Sequence, residues 1–159
     1  MDKKELVKRV LEKLEEERVA LAQAARNTYE AATHEESEAE DQYDTRGLEA
    51  SYLAGAQAKR VAEVEQFITM LKFLEAKDFD EETAISATAL VELDHDGKTT
   101  WVFLLPKGGG MTVEFEGHAV QIVTPKSPMG EALVGRHTGD LALVDTGKET
   151  REYEIVSVR

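Results

Sequence analysis

Between Lys3 and His34 the chain holds neither glycine nor proline, and Val7, Leu11, Leu14, Leu21, Ala25 and Ala32 fall on a three-four spacing, with Arg18 and Thr28 as polar interruptions. A stretch of that length without a turn residue, apolar along one narrow seam, predicts a long helix. A second seam follows from Leu48 to Leu74, through Ala50, Ala54, Val61, Val64, Ile68 and Leu71, with Gln57 inside it. Two such seams in series predict an antiparallel coiled-coil hairpin. At ~1.5 Å per residue, ~32 residues give an arm of roughly 45 to 50 Å. Both seams thin to alanine toward the turn between them, so the distal end has little apolar area to bury.

The rest of the chain is built differently. All three prolines, the single tryptophan Trp101 and nine of the eleven glycines lie beyond residue 96. Runs with alternating or β-branched character span 84–93, 99–105, 111–115, 119–124, 141–145 and 152–158. Turn signals separate them: Asp96-Gly97, Gly108-Gly109-Gly110, Glu116-Gly117 and Thr146-Gly147. Short strands joined by tight turns predict an antiparallel sheet, with the glycine triplet as a hairpin turn. One helix interrupts it: Ser127 precedes Pro128 as an N-cap with proline in the first helical position, and Gly135 closes the stretch. The expected fold class is α+β. Its expected domains are a hairpin over 1–76 with an acidic tip at about 35–49, a linker over 77–83, and a sheet domain over 84–159.

Charge and composition narrow the partners. The formal net charge is −13, and both halves are acidic. Such a field is repelled by free duplex DNA, so direct sequence-specific DNA binding is not expected; a basic surface or a cation is the natural complement. The absence of cysteine excludes disulfides, thiolate metal sites and a cysteine nucleophile. No apolar run approaches the ~20 residues that span a bilayer, and the expectation is a cytoplasmic protein without a membrane partner. The four histidines are isolated, which makes a protein-only zinc site unexpected. The glycine triplet lacks the Lys-Ser/Thr of a phosphate loop, and Ser127 has no readable histidine partner for nucleophilic catalysis. Trp101 and Phe103 alternate on one strand face and are expected in the core.

The segment from Thr124-Pro125-Lys126-Ser127-Pro128-Met129-Gly130-Glu131-Ala132-Leu133-Val134-Gly135 through Gly139-Asp140 to Tyr153-Glu154-Ile155-Val156-Ser157-Val158 resembles the C-terminal domain of the GreA/GreB transcription elongation factors. The resemblance implies an FKBP-like sheet domain behind a coiled-coil hairpin. It also implies a factor that binds RNA polymerase, inserts its arm into the secondary channel, and stimulates Mg²⁺-dependent cleavage of backtracked RNA at the nascent 3′ end. In that role the chain is not itself an enzyme but completes the polymerase's own two-metal site. Ser127, Pro128 and Met129 sit where Gre-like domains present a loop to polymerase.

Ala50-x-Tyr52-x-Ala54 resembles the segment that opens the family's second helix. Shortly before that tyrosine the family carries Asp-x-x-Glu, and the aligned positions here are Thr45 and Leu48. Asp41 and Asp44 supply two carboxylates at the same spacing four residues earlier, with Glu40 and Glu49 nearby. Mg²⁺ is commonly held through one or two protein carboxylates while keeping its waters. Asp41 and Asp44 are therefore the expected metal-delivering pair, with Glu40 and Glu49 as alternates. The same acids also fit a solvated turn whose carboxylates favour the positive N-terminus of the second helix. The alternative function is a non-cleaving occupant of the channel that competes with Gre factors. A third, prolyl isomerisation, rests on fold analogy alone.

Overall fold

The computed structural model describes residues 1–33 and 45–159. Helix α1 spans Lys3–Thr33 and α2 spans Arg46–Lys72. Six strands follow: β1 Leu90–His95, β2 Lys98–Leu104, β3 Thr112–Phe115, β4 His118–Val123, β5 Leu141–Asp145 and β6 Thr150–Val158. The short helix α3, Pro128–Leu133, lies between β4 and β5. The fold is α+β: two N-terminal helices, a six-stranded sheet and one short helix. The chain divides into two compact units, one made of Val10–Phe73 and the other of Met1–Arg9 together with Leu74–Arg159.

In the helical unit Glu17 meets Arg60 at 3.1 Å, whereas Glu15 meets Lys72 at 3.9 Å, so the chain advancing along α2 runs back along α1. The seam of α2 is the expected one, with Ala54, Val64, Ile68 and Leu71 buried and Phe67 added. In α1 the buried residues are Leu6, Val10 and Leu14, so the first two stand one position before the expected Val7 and Leu11, which are only half-buried. Adjacent apolar pairs, Leu6-Val7 and Val10-Leu11, leave the phase of a 3.6-residue period open by one residue, and packing chooses it. Beyond Leu14 no described residue of α1 is buried, and Ala54 is the one buried residue in the N-terminal half of α2. Apolar burial in this unit is thus concentrated at one end.

The sheet has the strand order β3-β4-β2-β1-β6-β5. It is mixed rather than wholly antiparallel, because β2 and β4 pair in parallel, with Trp101 opposite Val120 and Phe103 opposite Ile122. The glycine triplet is accordingly not a hairpin turn. It lies in the connection that carries the chain from β2 past the position of β4 to β3, and Gly108 and Gly110 have φ of +86° and +90°. Two expected turns are two-residue hairpins: Asp96-Gly97 joins β1 to β2 and Glu116-Gly117 joins β3 to β4, both with positive φ at each residue. That pairing of left-handed residues matches the right-handed twist of the flanking strands.

The expected strand over 84–93 begins only at Leu90. Upstream, Ile85 bonds to Arg136 and Gly135 in the loop after α3, and the Thr88 N–H donates to the Leu104 carbonyl at the end of β2, so these backbone groups are satisfied outside the paired register of β1. Val91, Leu93, Val102, Leu104, Ile155 and Leu133 form the centre of a core that also takes in Phe79 from the stretch after α2. Trp101 and Phe103 are buried, as their alternation predicts. No helix of the described residues is long and apolar enough to cross a membrane.

Candidate functional site

Of the four acids expected to hold metal, Glu40, Asp41 and Asp44 lie outside the described residues. Glu49 is exposed on the first turn of α2, and its carboxylate accepts a hydrogen bond from the Thr45 hydroxyl at 3.1 Å. Thr45 is the N-cap, but its side chain does not bond the free N–H groups of the turn. Glu49 is placed where a negative charge meets the positive end of the helix dipole. Leu48 is 58% exposed and Tyr52 74% exposed, one turn apart on the same helix. Among the described residues no group of three histidine, aspartate or glutamate side chains is arranged to hold a metal ion.

The second set of expected site residues is fully described. Ser127 Oγ accepts from the Gly130 N–H at 3.1 Å and donates to the Thr124 carbonyl at 2.7 Å, so one hydroxyl both caps α3 and ties it to the end of β4. Gly130 is required here: a Cβ built on it would stand 1.9 Å from the Thr124 carbonyl oxygen. Gly135, with φ +82°, ends the helix in the left-handed conformation. Within this turn Met129 is half-buried and packs against the core, while Pro128 is exposed. The surface that the Ser127-Pro128-Met129 turn offers is therefore mainly that of Pro128.

Pro128 also lines a groove of about 720 Å³ between α3 and the β5–β6 hairpin, together with Lys126, Glu131, Ala132, Arg136, Leu143, Asp145, Thr146 and Gly147. The walls are apolar at Pro128, Ala132 and Leu143 and carry both signs of charge. None of the lining residues is aromatic, so this groove lacks the aromatic lining a prolyl isomerase pocket would need. Sequence reasoning missed the contributions of Arg136 and Leu143. The available signal was that β5 is apolar on both faces, Ala142 and Val144 inward and Leu141 and Leu143 outward, the latter 60% exposed on an edge strand.

Comparison with known proteins adds the following. Residues 83–159 match the family model described as transcription elongation factor, GreA/GreB, C-terminal. The chain is 28% identical over 165 aligned residues to the transcription inhibitor protein Gfh1 of Thermus thermophilus, covering 94% of this chain and 90% of that protein. It is 51% identical over 37 residues to the transcription elongation factor GreA of Methylococcus capsulatus, covering 23% of each. A crystal structure of GreA factor homolog 1 from Thermus thermophilus aligns over 96% of this chain and 94% of that one, at 26% identity and a TM-score of 0.39.

Proposed function

Because residues 83–159 form a GreA/GreB C-terminal domain and the chain is homologous to Gfh1 over nearly its whole length, we propose that it is a GreA-like factor that binds RNA polymerase and restrains transcription without promoting RNA cleavage. The observation that carries this reading is that a relative matched along 94% of the chain is named a transcription inhibitor. The residues at the head of α2 agree with it. Where Gre-type cleavage factors carry an Asp and a Glu, this chain has Thr45 and Leu48. Between them Thr45 and Leu48 supply one neutral oxygen and no carboxylate, a much weaker set of ligands for a hydrated divalent cation than two acids. In this reading the chain is not an enzyme, brings no metal of its own, and meets the nascent RNA only through the polymerase in the cytoplasm.

A second reading is favoured by one specific feature, the Asp41-x-x-Asp44 pair, which repeats the carboxylate spacing four residues earlier. If those two side chains reach the polymerase centre, they would share Mg²⁺ with it and support cleavage. One experiment separates the readings. The protein and Mg²⁺ are added to a stalled, backtracked elongation complex, and both RNA extension and the release of short 3′ fragments are followed. The proposal expects slowed extension and no fragments. Fragments that appear with the unaltered protein and vanish with Asp41→Ala/Asp44→Ala would replace it with the cleavage reading.

A further inference from the structure

Thr88 has a φ of +74° and is only 3% exposed. A β-branched residue in the left-handed region is a steric outlier, and such a conformation persists only where its surroundings over-determine it. The Thr88 N–H donates to the Leu104 carbonyl at 2.8 Å, and its hydroxyl accepts from the Lys77 N–H at 3.0 Å. Its carbonyl accepts from the Lys3 ammonium at 3.4 Å. That ammonium also donates to the Lys77 carbonyl and lies 4.7 Å from the centroid of the Phe79 ring, which packs against the core. Burial holds Lys3 below the ordinary lysine value, with the nearby Asp78 carboxylate pulling the other way.

Lys3 belongs to the first turn of α1, and Lys77 and Phe79 to the stretch that follows α2. The cation thus stands where two chain segments meet, one entering the helical unit and one leaving it, and both belong to the sheet unit. None of the bonds made by Lys3 or by the Thr88 hydroxyl is part of a strand ladder.

We propose that Lys3, Lys77, Phe79 and Thr88 form a latch that fastens both segments to the sheet unit and opens as one piece while the sheet stays folded. Two carbonyls and an aromatic face converge on a single ammonium, so removing that charge releases both segments together. The latch is independent of the functional proposal above.

Amide hydrogen exchange on the full chain, followed by mass spectrometry, tests it. Lys3→Met keeps most of the apolar stem and removes the charge. It is expected to speed exchange in residues 1–9 and 74–80 about tenfold, leaving β1, β2 and β6 as protected as before. Thr88→Gly, which tolerates the positive φ but lacks the hydroxyl, is expected to accelerate the Lys77 amide, and Thr88→Ser to leave it near the unaltered rate. The latch is refuted if Lys3→Met changes neither segment. It is equally refuted if that variant accelerates exchange throughout the chain or does not fold, since latch and sheet would then be one cooperative body.

Discussion

Adding one methyl group at Gly130 should disturb the sheet unit more than most side-chain deletions on its surface. The new Cβ would lie 1.9 Å from the Thr124 carbonyl oxygen, 2.8 Å from its carbon and 2.9 Å from the Pro125 Cα, all backbone atoms that cannot swing aside. Relief requires α3 to retreat by more than about 1 Å, beyond the range where close-packed neighbours adjust freely. The same carbonyl accepts the Ser127 N–H at 3.0 Å and the Ser127 hydroxyl at 2.7 Å, so the retreat weakens both bonds. It also lifts Leu133 and Met129 away from the core. Overpacking costs about 1–3 kcal/mol and each bond about 1 kcal/mol, while alanine returns up to about 1 kcal/mol of helix propensity.

The net loss for Gly130→Ala is therefore about 3 kcal/mol, or roughly 12–24 °C in Tm for a unit of this size. Trp101, the single tryptophan, is buried in the sheet unit and reports its unfolding in urea by fluorescence. Gly135→Ala is the control: apart from its chain neighbours no described atom lies within 4 Å of the added Cβ, and its φ of +82° alone costs about 1–2 kcal/mol. A Gly130→Ala midpoint indistinguishable from the unaltered protein, or a larger loss at Gly135 than at Gly130, would refute the steric reasoning.

Two further expectations follow from bonds made and unmade. Ser127→Ala removes the cap of α3 together with its tie to Thr124, and should cost about 1–2 kcal/mol in the same fluorescence titration, whereas Ser127→Thr should recover most of it. In the helical unit, Gln57 Oε1 is buried without a hydrogen-bond partner among the described residues. Gln57→Leu should therefore raise the stability of that unit by about 1 kcal/mol, read as a later loss of helical circular dichroism in urea; an earlier loss would mean that the amide is satisfied in solution.

Local chemistry was the part of the fold most open to sequence reasoning. Asp96-Gly97 and Glu116-Gly117 specify their turns because positive φ at two successive positions selects such pairs. Ser127-Pro128 specifies a helix start because a hydroxyl and a missing N–H suit that end. Pairing between distant strands is another matter. Nothing in residues 98–104 or 118–123 distinguishes a parallel from an antiparallel neighbour, so the β2–β4 pair and the true place of the glycine triplet emerged only in three dimensions. The groove beside α3 was half legible: Pro128 stood out through its motif, while Arg136 and Leu143 come from separate elements that only the fold brings together. Glu49 was legible as an acid near the tip, but its hydrogen bond with Thr45 depends on helical geometry four residues apart.

The position of the last strand has a consequence for how the molecule comes to be. β6 lies directly beside β1, closing a ladder in which Val91 faces Val158, although sixty-odd residues separate them along the chain. Contacts of such wide sequence separation form late and slowly, because the loop they close costs entropy before any pairing rewards it. During synthesis, β1 and β2 can zip into their hairpin early, yet one flank of β1 keeps its hydrogen-bonding groups open until β6 has been made. That open flank is the moment of greatest exposure to mispairing with another chain, and it ends only when β6 docks beside β1.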